Sequence, residues 1–119
     1  MPVIKDSGKK QVFDSGAQRD SREGKGRYDL IPNTALRRLA LTYEAGAKKY
    51  GERNWEKGMP VSRFLDSALR HINQHIEGKH DEDHLAQAMW NIAGAIHMEE
   101  MVARGKLEKK FCDLPNHID

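Results

Sequence analysis

Three apolar stripes at helical spacing, each closed by a glycine, constrain this chain more than any other feature. Leu36, Leu39, Ala40, Tyr43, Ala47 and Tyr50 recur three and four residues apart and stop at Gly51. A helix is expected to begin near Asn33 or Thr34, just after Pro32. Leu65, Ala68, Leu69, Ile72 and Ile76 form the second stripe, with Ser62 as the expected cap and Gly78 as the stop. The third stripe is Leu85, Met89, Ile92, Ala93 and Ile96, in a helix expected from about Glu82 to Arg104 and ended by Gly105. No segment alternates with period two, so no sheet is expected. Short connections favour antiparallel neighbours. The expected fold is all-α: a small antiparallel bundle of three main helices with an extended N-terminal arm.

Three such helices enclose a thin core. Of the 119 residues only 38% are apolar and 32% are charged. A chain of this size and polarity commonly completes its core by self-association, so a homodimer or homotetramer is expected. Residues 1–14 read as a flexible tail and 15–119 as one helical domain. Gly8, Gly16, Gly24 and Gly26 break up the arm, while Tyr28, Leu30 and Ile31 give residues 24–32 something to bury. The end of the chain, from Lys106, is charged and interrupted by Pro115, leaving room for a brief helix.

Charge narrows the function. Twenty basic residues against 18 acidic ones leave a net charge of +2, too balanced for a coat on a nucleic-acid polymer. A small phosphorylated ligand needs only a few local cations. Cys112 is the single cysteine, so neither an intrachain disulfide nor a cysteine zinc site is expected. No apolar run suits a signal peptide or a membrane span. The expected location is therefore cytoplasmic, in the host cell if the chain is phage-encoded.

The unusual residues gather on the second and third helices. Arg70 and His71 flank the second stripe, and Asp81, Glu82, Asp83 and His84 open the third helix. His84, Gln87 and Asn91 share one helical face, and a mid-helix amide such as Asn91 requires hydrogen bonds if buried. Antiparallel packing would bring Glu77, Glu82, Asp83 and His84 together, with Arg70, His71 and Asn91 deeper in a groove. Oxygen-rich clusters of that kind suit Mg²⁺ or Mn²⁺. Acidic residues in a first helical turn are equally what capping selects, and the same cluster reads as an exposed salt-bridge network. Spacing alone leaves both readings open. Lys48, Lys49 and Arg53, with Lys25 and Arg27 on the arm, supply cations for phosphate, and Asn54 and Trp55 supply an amide and an aromatic ring for a base. A solvated helix end and simple core filling account for Lys48, Lys49 and Trp55 just as well. His75, His80, His97 and His117 read as surface or core histidines.

The blocks SGAQRDSREGKGRYDLIPNTAL, YEAGAKKYGERNWEKGMP, DSALRHINQHIEGKHDEDHLAQAMWN and HMEE, in order from about Ser15 to Glu100, resemble the N-terminal domain of the phage dATP/dGTP diphosphohydrolases. The resemblance implies an all-α fold akin to the MazG-like pyrophosphatases. It also implies metal-dependent hydrolysis of purine deoxynucleoside triphosphates to monophosphate and pyrophosphate, in some phages on the way to a modified adenine. By the same resemblance, Glu82 and Asp83 hold the metal, Mg²⁺ or Mn²⁺, with His84 as a further ligand. His71 and Asn91 complete or orient that shell, and Arg70 neutralises phosphate. Lys49, Tyr50, Arg53, Asn54 and Trp55 face the nucleotide, and Lys25 and Arg27 close over it. The Glu-Glu-x-x-Glu and Glu-x-x-Asp helices of MazG-like enzymes are missing here, so a different metal shell is expected.

Two other classes compete. His80-Asp81 forms the dipeptide of His-Asp metal phosphohydrolases, with His71 preceding it, although it falls in a turn. A nucleotide sensor or oligomeric adaptor could keep the same helices without turnover, and would tolerate Asp83→Asn.

Overall fold

The computed structural model describes residues 3–117. The chain divides into two compact units, Met1–Ile31 and Pro32–Asp119. The first contains a small antiparallel hairpin, β1 (Lys10–Val12) and β2 (Gln18–Asp20), with Gln11 opposite Arg19. Its turn closes through the Phe13 N–H donating to the Ala17 carbonyl at 2.9 Å, and Gly16 takes the left-handed φ of 87° that the turn needs. This sheet was not expected. Its strands are three residues long and neither buries an apolar face, so there is no alternation to detect. Asp20 collects the Ser7 N–H and the Lys25 ammonium. The Ser7 hydrogen bonds, with help from Lys25, hold its carboxyl down to about 2. A short 3-10 turn, Tyr28–Leu30, follows, and none of its residues is buried.

The second unit contains three helices: α1 (Asn33–Tyr50), α2 (Val61–Ile76) and α3 (His84–Ala103). Gly51 ends α1 with φ 92°, as its position after Tyr50 predicts. α2 and α3 form the main packing pair and run antiparallel: His71 meets His84 at one end, and Phe64 meets Trp90 and Gly94 further along. α1 rests on α3 in the same direction, since Arg38 reaches Asp83 and Tyr43 reaches Trp90. α1 and α2 scarcely touch, so a groove opens between them with α3 as its floor.

The core is small. Val61, Phe64, Ala95 and Met98 form it, flanked by Met59, Leu65, Trp90, Leu107, Cys112 and Leu114. Cys112 is thus a packing residue with a free thiol. The face of α2 turned inward is Val61, Phe64, Ala68 and His71, and that of α3 includes His84, Ala88, Asn91, Ala95 and Met98. This corrects the expected stripes. Leu69 and Ile76 are 67% and 76% exposed, and Leu85, Ile92 and Ile96 are exposed as well. Within one chain, the α2–α3 contact sets Val61, Phe64 and Met98 among small and polar residues, and Gly94 makes room for the Phe64 ring. The larger aliphatic residues occupy the neighbouring face.

Ser62 is not the cap of α2. The helix begins at Val61 after Pro60, and Asp113 from the C-terminal segment accepts the Ser62 N–H at 3.0 Å and its hydroxyl. The segment around Asp113 includes the short turns Lys109–Phe111 and Pro115–His117. Among the described residues no helix is long and apolar enough to cross a membrane.

Candidate functional site

The groove between α1 and α2 has a volume of about 1160 Å³. That is the scale of a pocket for a small organic ligand, roughly 300–1,000 Å³, left open at one side. Ten of the residues singled out from the sequence line it: Lys49, Tyr50, Arg53, Asn54 and Trp55 from the end of α1 and its following loop, and Arg70, His71, Glu82, Asp83 and Asn91 from α2, α3 and the turn between them. His84 is not in the lining but directly behind it. Lys25 and Arg27 belong to the N-terminal unit, where Lys25 pairs with Asp20 at 3.2 Å and Arg27 makes a two-pronged bond to Asp29.

One end of the groove is built around two buried histidines. His71 and His84 are 4% and 1% exposed, and their Nδ1 atoms lie 2.9 Å apart. His84 Nε2 lies 2.9 Å from Asp81 Oδ1. Burial, then the neighbouring Arg70 charge, pushes the His71 imidazolium below the ordinary histidine range, so His71 is neutral near neutral pH. The hydrogen bond with His84 holds the Asp81 carboxyl below the usual range. Glu82 approaches the same pair, and its carboxylate also accepts from Gln87 Nε2 at 2.7 Å. Asn91 satisfies its buried amide by donating to the Gln87 carbonyl at 2.8 Å.

The acidic cluster expected at the start of α3 is divided among separate tasks. Asp83 is the N-cap, accepting the Ala86 N–H at 3.1 Å, and is gripped by Arg38 at 2.7 and 2.5 Å. The Arg38 guanidinium holds the Asp83 carboxyl below its ordinary range. Glu77 is turned to Asn73 and Lys79 rather than to the groove. Among the described residues the group with metal-binding spacing is His71, Glu82 and His84, whose ligand atoms lie within 4.8 Å of one another. An ion with bonds of about 2.1 Å would be held by Glu82 and His71, with His84 behind them. A carboxylate with an imidazole nitrogen is accepted more readily by Mn²⁺ than by Mg²⁺, which holds more strictly to oxygen and water. Glu82 and His71 are the available members, because both ring nitrogens of His84 are already engaged. His80 and Asp81 lie in the α2–α3 turn, and His80 joins no such group among the described residues, so the His-Asp constellation is not assembled.

The other end is aromatic and basic. Trp55 stands edge-on to Tyr43, with centroids 5.8 Å apart, and to His97 at 5.0 Å. Tyr43 in turn leans on Trp90. Arg53 adopts a left-handed backbone, φ 58°, which is rare for a side chain with a Cβ. It aims a guanidinium at the groove rim while pairing with Glu56 at 2.6 Å. Lys49 lies 5.1 Å over the Tyr50 ring. Arg70 has no carboxylate partner among the described residues.

Sequence reasoning missed Arg38, Arg63, Ser67 and Trp90, and read Tyr43 only as part of an apolar stripe; all of them line the groove, as does Gln87. A signal existed for Arg38: with Thr42, Ala45 and Lys49 it lies on one face of α1 at spacings of four, three and four. That face is the groove wall. Trp90 and Tyr43 carried no such signal, since an aromatic beside an apolar stripe reads as core. No curated protein and no solved structure matches the chain. A family model described as dATP/dGTP diphosphohydrolase, N-terminal, matches residues 15–109, and the chain belongs to that family.

Proposed function

We propose that the groove binds a purine deoxynucleoside triphosphate, dATP or dGTP, and hydrolyses it to the monophosphate and pyrophosphate. The family supports the substrate class. The observation that carries the reading is that one groove joins basic and aromatic residues at the end of α1 to a buried histidine pair and Glu82 at the start of α3. Trp55 and Tyr43 offer ring faces and edges to a purine, and Asn54 an amide to its polar edge. Lys49, Arg53, Arg63 and Arg70 offset the triphosphate charge. Water attacks the α-phosphorus, the bond to the α–β bridging oxygen breaks, and pyrophosphate leaves. Glu82, through a carboxylate oxygen not bound to an ion, or His71 where it holds none, takes the proton lost by the water. A divalent ion, held by Glu82 and His71 with His84 behind them, would supply Lewis-acid polarisation of a phosphoryl oxygen. Mn²⁺ is expected to support more turnover than Mg²⁺. Incubation with dGTP and either ion, followed by pyrophosphate and dGMP assay, tests the reading. Absence of both products with both metals overturns it.

The active form is proposed to be a homo-oligomer. Leu65, Leu69, Ile72 and Ile76 on α2, and Leu85, Met89, Ile92 and Ile96 on α3, each repeat with the 4-3-4 spacing of a helix–helix seam. Two copies of the α2–α3 pair meeting on these faces would make a four-helix bundle.

A further inference from the structure

His84 is enclosed by protein, yet both its ring nitrogens have partners. Nε2 faces Asp81 Oδ1 at 2.9 Å, and Nδ1 faces His71 Nδ1 at 2.9 Å. The first contact has one polarity. A carboxylate only accepts, so His84 Nε2 carries the proton. A neutral imidazole has a single N–H, so His84 Nδ1 holds a lone pair and accepts from His71 Nδ1–H. His71 is then left with an unprotonated Nε2. No side chain among the described residues bonds that atom, and His71 lines the groove beside Glu82. Asp81 is also free of the helix-end duty that its position suggests, because Asp83 caps α3.

We propose that Asp81 is a positioning residue: acting through His84, it fixes His71 in the Nδ1–H form and keeps the Nε2 lone pair available to the reacting water or a bound divalent ion. What the lone pair does rests on the nucleotide-hydrolysis reading, but the tautomer does not. The logic is that of a carboxylate orienting a histidine from behind, extended by one imidazole. The arrangement runs from the exposed Asp81 side chain through buried His84 to the groove.

The sense of the relay can be reversed. In Asp81→Asn the amide can turn its N–H toward His84 Nε2. His84 then carries its proton on Nδ1 and donates to His71, whose proton moves to Nε2. Long-range ¹H–¹⁵N correlations of the imidazoles, on the full chain without metal and at a pH above the imidazole range, read this directly. Wild type should show His71 protonated at Nδ1 and His84 at Nε2. D81N should show the reverse or a mixture, and Asp81→Glu should restore the wild-type pattern. With dGTP, kcat of D81N should fall roughly 10–100-fold, the usual scale for a partner one step removed, with KM unchanged. A wild-type His71 protonated at Nε2, or a D81N spectrum identical to wild type, overturns the proposal. So does a reversed D81N spectrum with unchanged kcat. If wild type cleaves no nucleotide but shows the stated tautomers, the hydrolysis reading fails and the lock stands.

Discussion

Asp83 caps α3 and binds Arg38 with both carboxylate oxygens, and those two tasks predict a pH signature. Its carboxyl is held below the ordinary range, mainly by Arg38, so its contribution is present above the unfolded carboxylate pKa. That contribution is lost as pH falls through the lower folded value. Asp83→Ala should therefore cost about 1 kcal/mol near neutral pH, chiefly as a lost cap since the exposed ion pair adds little. Urea titrations should show the gap between variant and wild type closing at acid pH. Arg53 separates backbone from charge. Arg53→Gly should leave stability within about 1 kcal/mol of wild type, because relief of the left-handed strain and the entropy of glycine oppose one another. The same change should raise the KM for dGTP, measured by pyrophosphate release.

At the scale of elements, the α2–α3 contact depends on a small residue opposite a large one. A Cβ at Gly94 would overlap the Phe64 ring. Gly94→Ala should cost about 1–3 kcal/mol in denaturant unfolding, the usual scale of overpacking. A variant as stable as wild type would mean that α3 can slide at no cost. The start of α2 depends on a residue far away in sequence. Asp113 takes the Ser62 N–H that a local cap would otherwise satisfy. Asp113→Ala should therefore speed hydrogen exchange at Ser62 and Arg63 while leaving α3 amides unchanged. The helices themselves were legible because glycines at 51, 78 and 105 and the apolar period set their limits locally. The hairpin was not, because three-residue strands with two solvated faces leave no pattern.

For the molecule as a whole, the question is what covers the exposed seams of α2 and α3. With Leu69, Ile76 and Ile96 uncovered in a single chain, Leu69→Glu combined with Ile96→Glu should convert the proposed homo-oligomer to monomer in sedimentation analysis. An unchanged mass would place the interface elsewhere. The core of one chain is built from Val61, Phe64, Ala95 and Met98, and its small size is the reason self-association on those seams is proposed.

The sequence by itself determined the three helices and their stops, because glycine and the apolar period act within a few residues; the block from Lys49 to Trp55 was marked by the family resemblance. The sequence also marked Arg70, His71, Glu82, Asp83, His84 and Asn91 as unusual for their surroundings. Tertiary structure alone decided which face of each helix is buried, since two adjacent faces of α2 and α3 are both compatible with a helical period. It also divided the acidic cluster. Arg38, 45 residues away, claims Asp83, His84 claims Asp81, and Glu82 is left beside His71. Asp81 and His84 are three residues apart, but the pairings of Arg38 with Asp83 and of Glu82 with His71 depend on distances across elements, which no local pattern encodes.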